Sequence, residues 1–204
     1  MGTTLNAVLV GAPMRAVLDA AQKADVAGTV CRIAEDRVGI VHAAIDGTSD
    51  AESVARTLSR NVPAASAACF VQDSDYLEVT VFVGGAQVHS YVSDIGMLAD
   101  PVETSNGIEF ILDGVAYDED DLPSGPRGAD GGAFLPLAIG DVDVDALTEI
   151  LGSDDFVYAE ERFSQMLGAL GYPYEVTDPE FWLEGFTSLE SVGLEGRPAG
   201  TTGA

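Results

Sequence analysis

The chain has 204 residues, 47% of them hydrophobic, with 34 acidic side chains against 9 basic ones and a formal net charge of −25. That length and apolar fraction suit one core rather than two. No apolar run approaches the roughly 20 residues of a bilayer-spanning helix, and a field of this sign repels nucleic acid phosphates and anionic membranes, so direct nucleic acid binding and membrane insertion are excluded first.

The start of the chain lacks the basic, apolar and small-residue order of a signal peptide, and Asn6 stands where a myristoylation pattern needs Ser or Thr; a cytoplasmic protein is expected. Leu5 to Val10 reads as a short buried strand. Pro13 then opens a helix with Met14, Val17, Leu18, Ala21 and Ala24 at helical spacing. Thr29 to Ala34 and Arg37 to Ala44 form a hairpin turning at Glu35-Asp36, with Cys31, Ile33, Val38 and Ile40 expected on one face and Arg32 and Arg37 on the other. His42 continues the apolar face of that strand. Ser49 to Glu52 fits a capping box, followed by the stripe Ala51, Val54, Ala55, Leu58 and Val62, which Pro63 ends. Cys31 and Cys69 lack CxxC spacing and sit in apolar runs, as buried free thiols do.

From Ala64 to Asp94 the pattern predicts three strands, punctuated by Asp73-Ser74-Asp75 and Gly84-Gly85. Pairing Val83 with Ala86 sets Val81 opposite Val88, Val79 opposite Ser90 and Leu77 opposite Val92 on an apolar face. The reverse face then carries Tyr76, Glu78, Thr80 and Phe82 against Ser93, Tyr91, His89 and Gln87. Another hairpin turns at Asp113-Gly114. Residues 118–133 begin Asp-Glu-Asp-Asp and continue Gly- and Pro-rich, predicting a long mobile loop. Asp145 to Leu151 and Ala159 to Leu170 read as helices, and Thr177-Asp178-Pro179-Glu180 starts another that carries Phe181 and Trp182. The expected architecture is α+β: a mainly antiparallel sheet of about seven strands backed by four or five helices, one domain over residues 1–192, and a disordered tail over 193–204.

Two stretches, Asp73-Ser74-Asp75-Tyr76 with its hairpin to Tyr91, and Ala159-Glu160-Glu161-Arg162-Phe163 through Leu170-Gly171-Tyr172-Pro173, resemble a group of uncharacterised bacterial proteins. The resemblance covers under half of the chain and implies no activity.

Three sets of residues are candidates for chemistry. The predicted hairpin register brings Glu78, Thr80, His89 and Tyr91 together, and a carboxylate beside an imidazole can orient a general base. The same residue types equally suit the wetter face of a sheet. Asp141, Asp143 and Asp145 resemble the start of a calcium loop, but Ala146 replaces the turn glycine and Gly152 the bidentate glutamate, so helix capping is the better reading and no metal or other cofactor is expected. Asp118, Glu119, Asp120, Asp121 and Trp182 are the candidate binding residues. With two histidines, one lysine and no phosphate loop or nucleophile elbow, the chain is expected to be a non-catalytic acidic protein-binding module, an inhibitor, immunity-type protein or assembly factor, that engages a basic partner surface. The alternative is an enzyme or small-ligand domain using the Glu78, His89 and Tyr91 face.

Overall fold

A computed structural model describes residues 4–45, 48–105, 107–183 and 191–194. Strand β1 (Leu5–Val10) is apolar on both faces because it runs through the middle of the main sheet, between β3 (Arg37–Ile45) and β5 (Ala65–Gln72), antiparallel to each. Outward from β3 lie β2 (Val26–Ala34) and, at the edge, β11 (Ser191–Leu194); outward from β5 lie β6 (Tyr76–Val83) and β7 (Ala86–Val92). The two-residue strand β4 (Thr48–Ser49) adds to β3, making eight strands in all. A second, three-stranded antiparallel sheet is built from β8 (Asp100–Thr104), β9 (Gly107–Leu112) and β10 (Val115–Tyr117). The protein is therefore α+β with a mainly antiparallel sheet, as the pattern predicts.

The helices cover both faces of the main sheet. Helices α1 (Met14–Lys23) and α2 (Ala51–Asn61) lie on one face, over Val8, Val10, Val30, Val38, Ile40 and Phe82. The other face receives a 3-10 segment, Gly131–Leu137, with α3 (Val144–Gly152), α4 (Ala159–Ala169), α5 (Tyr174–Thr177) and α6 (Pro179–Leu183), over Ala7, Leu9, Cys31, Cys69, Leu77 and Val79. Helix α4 buries the whole predicted stripe of Ala159, Phe163, Met166, Leu167 and Leu170. Among the described residues no helix is long and apolar enough to cross a membrane.

Four expectations need correction. In the first hairpin a bulge between Arg32 and Ala34 pairs Arg32 with Val38 and Cys31 with Gly39. Cys31 and Ile33 therefore face the C-terminal helices, while Val38 and Ile40 face α1 and α2. One extra residue on one strand exchanges its faces relative to its partner. At α2 the cap is Asp50, not Ser49: its carboxylate accepts from the Ser53 N–H at 3.0 Å and from the Ser53 hydroxyl at 2.5 Å, which holds its pKa down. These bonds give the start of α2 one defined seat beside the sheet.

The segment 118–133 is tied down where a mobile loop is expected. Val92 and Arg127 exchange backbone bonds at 3.0 and 2.9 Å, the Ile95 N–H donates to Gly125, and the Asp94 carboxylate accepts from Gly96 and Gly125. Gly128 permits the close approach, since a Cβ there would lie 2.1 Å from the Ser90 carbonyl. At the other end, Gly193 and Leu194 pair with Thr29 and Gly28, so the predicted tail begins inside a strand; residues 195–204 lie outside the described residues. The His42 side chain also lies outside them.

Candidate functional site

The predicted acid-base face does not assemble. A bulge between Val81 and Phe82 pairs Val81 with His89, Val79 with Tyr91 and Glu78 with Val92. Val88 becomes the extra residue and is 56% exposed. Glu78 and Thr80 consequently point toward α2, and His89 and Tyr91 point toward the C-terminal helices, on the opposite side of the sheet. The physical reason is the larger gain from burying an aromatic ring than a valine, taken at an edge strand, where bulges are tolerated. Tyr91 is fully buried, edge-on to Phe134 at 6.4 Å, and His89 packs on the same ring at 5.4 Å with Nε2 2.8 Å from the Gly128 carbonyl.

Tyr91 instead belongs to a structural polar group around Arg162. Arg162 is 5% exposed; Nη1 donates to the Tyr91 hydroxyl at 2.9 Å and to the Leu151 carbonyl at 3.2 Å, and Nη2 donates to the Ser153 carbonyl at 2.5 Å. Leu151 and Ser153 close α3, where carbonyls lack intrahelical donors and the helix dipole favours a cation. Burial raises the Tyr91 pKa, and the Arg162 contact opposes that. The guanidinium also lies over the Phe156 ring and lines a cleft of ≈ 340 Å³ bounded by Asp75, Asp94, Asp154 and Tyr158. Sequence reading missed Arg162. The available signal was its spacing, three residues after Ala159 and four before Met166, which puts it on the inward stripe of α4.

The remaining candidates divide clearly. Trp182 is 1% exposed and donates from Nε1 to the Val176 carbonyl at 2.7 Å, so it is a core residue rather than a contact surface. Asp143 caps α3 by accepting from the Asp145 and Ala146 N–H groups, each at 3.1 Å. Asp141 and Asp145 are exposed, and no group of three or more His, Cys, Asp or Glu among the described residues is arranged to hold a metal ion. Asp118, Glu119, Asp120 and Asp121 are all exposed, on a single 3-10 turn directly after β10. Cys31 and Cys69 are buried free thiols; burial pushes Cys31 up to about 11 and Cys69 higher still, so neither is a nucleophile near neutral pH.

A second hollow, of ≈ 370 Å³, opens on the α2 side of the sheet between the start of α2 and strands β1, β5 and β6. The register sets Asn6, Phe70 and Glu78 in one row across β1, β5 and β6, and Val8, Ala68 and Thr80 in the next. Asp50 and Glu52 approach from α2, where Glu52 pairs with Arg56 at 2.6 Å. Burial, reinforced by the charge of Glu52, raises the pKa of Glu78. No protein family, curated protein or solved structure matches the chain.

Proposed function

We propose that this protein is a non-catalytic binding module, an inhibitor, immunity-type protein or assembly factor, whose acidic surface engages a basic partner. The carrying observation is an asymmetry in how its charges are used. Arg37 is held by the Leu137 and Ala138 carbonyls and by Asp36, Arg56 by Glu52, Arg127 by Asp113, and Arg162 by the end of α3. The carboxylates of Asp118, Glu119, Asp120 and Asp121 stand exposed without an ion pair among the described residues. These four arginines are engaged by the fold, whereas Arg15, Lys23 and Arg60 are exposed like the acidic run, which faces solvent on a turn held by its flanking sheet and bridge. Such an arrangement steers a basic surface into encounter and disfavours phosphate-bearing polymers.

The test is affinity capture on the full chain at low salt, with salt-gradient elution, beside a variant carrying Asp118→Asn, Glu119→Gln, Asp120→Asn and Asp121→Asn. A stoichiometric basic protein that elutes from the variant at clearly lower salt supports the reading. Identical retention by both chains refutes it.

A further inference from the structure

The hollow at the start of α2 holds a charge that the fold leaves uncompensated. Glu78 is half-buried and makes no hydrogen bond or ion pair among the described residues, although burying an unpaired carboxylate is costly. Thr80, beside it, is 5% exposed, and its hydroxyl also lacks a hydrogen-bond partner among the described residues. Glu160 Oε2 is the buried side-chain oxygen without a partner among the described residues, so the Thr80 hydroxyl is not sealed in but opens into the hollow, where an occupant can reach it. The Asn6 amide, two strands over and beyond Phe70 in the same row, is half-buried and likewise makes no side-chain hydrogen bond among the described residues. Ala68 forms an apolar floor and Phe70 an aromatic wall.

These features specify a ligand. Two carboxylate oxygens, a hydroxyl and an amide oxygen around one hollow ask for a ligand with several donors, a carboxylate asks for a cation, and an aromatic wall favours a flat cation over a spherical one. The small side chain of Ala68 leaves room for an aliphatic stem, and the volume lies within the roughly 300–1,000 Å³ of small-ligand pockets. We propose that this pocket binds an alkylguanidinium group, with Glu78 as bidentate acceptor, Thr80 and Asn6 as further acceptors and Phe70 as the stacking wall. Its source is an arginine side chain of the basic partner, a step that rests on the function proposed above. Asp50 takes no direct part, being engaged with Ser53, and the Glu52 carboxylate is held in an ion pair with Arg56.

Titrating the ¹⁵N-labelled full chain with ethylguanidinium chloride at fixed ionic strength, and following amide shifts, tests the pocket directly. The expected result is saturable shifts confined to the surroundings of Ala51, Ala68 and Thr80, with a Kd on the order of millimolar. Glu78→Gln weakens binding by about tenfold or more. Ala68→Leu abolishes it by filling the hollow without altering charge, and the spectra report whether each variant is folded. Shifts that stay linear, spread over all exposed carboxylates or survive both substitutions overturn the site. Equal affinity for n-butylammonium overturns its preference for guanidinium. The occupant is tested separately. If wild type binds ethylguanidinium but Glu78→Gln retains the basic partner with an unchanged salt profile, the partner's arginine is not the occupant. The acidic-surface reading would then stand alone.

Discussion

The two faces of the main sheet are both covered by helices, yet they are packed by different rules. Against α3 to α6 the sheet meets large rings: Trp182 lies edge-on to Phe163 and Phe181 with centroids 5.9 and 5.5 Å apart, and Tyr91 and Phe134 are fully buried. Against α1 and α2 it meets chiefly valine and alanine, with Phe82, Ile40 and Leu58 the largest fully buried side chains. Rings interlock and fill space, whereas small side chains bring a helix close and leave a hollow where two alanines coincide. Ala51 and Ala68 do so beside Glu78. The aromatic face stabilises the molecule, and the alanine face has room for a ligand.

If this contrast holds, the largest response belongs to the aromatic face. Trp182→Ala removes the central ring of the C-terminal layer and is expected to cost about 3–5 kcal/mol in denaturant unfolding; a loss below about 1 kcal/mol would mean that this layer does not anchor the fold. Gly39→Ala comes next. An added Cβ would lie 2.8 Å from the Trp182 ring, so the indole must move, at an expected cost of about 1–3 kcal/mol, with a shift in the emission of the single tryptophan. An unchanged spectrum and stability would disprove that close contact. Tyr91→Phe leaves the ring in place but removes the hydroxyl from Arg162 and Leu151, and about 1–2 kcal/mol is expected.

On the other face the smallest effect carries the opposite sign. The folded-state pKa of Glu78 is raised, so the native state holds the proton more tightly than the unfolded chain does, and ionised Glu78 destabilises the fold. Glu78→Gln is therefore expected to raise the Tm modestly at pH 7. The advantage should shrink as pH falls through the folded pKa and vanish below the ordinary value of 4.5, where Glu78 is protonated in both states. A lower Tm for the variant at pH 7 would show that Glu78 has a compensating partner in the free protein.

Much of the fold was legible along the chain, because it is governed by local chemistry. Pro13 and Pro63 bound helices, Gly84-Gly85 and Asp113-Gly114 turn hairpins with positive φ, and the α4 stripe follows the 3.6-residue period. What the chain could not reveal was the outcome of competition between distant groups. Two bulges decide which face receives Cys31, Ile33, His89 and Tyr91. A bulge leaves no reliable mark in an alternating pattern, because it is selected by the rings and helices waiting on the far side of the sheet. The same limit applies to the candidate sites. Composition alone identified an acidic surface and the exposed run from Asp118 to Asp121, since charge is additive along a sequence. Only tertiary packing separated Glu78 from His89, committed Trp182 to the core, gave Arg162 its place at the end of α3 and left a hollow beside Glu78. Each of these depends on which side chains meet across the sheet, and no local period encodes that.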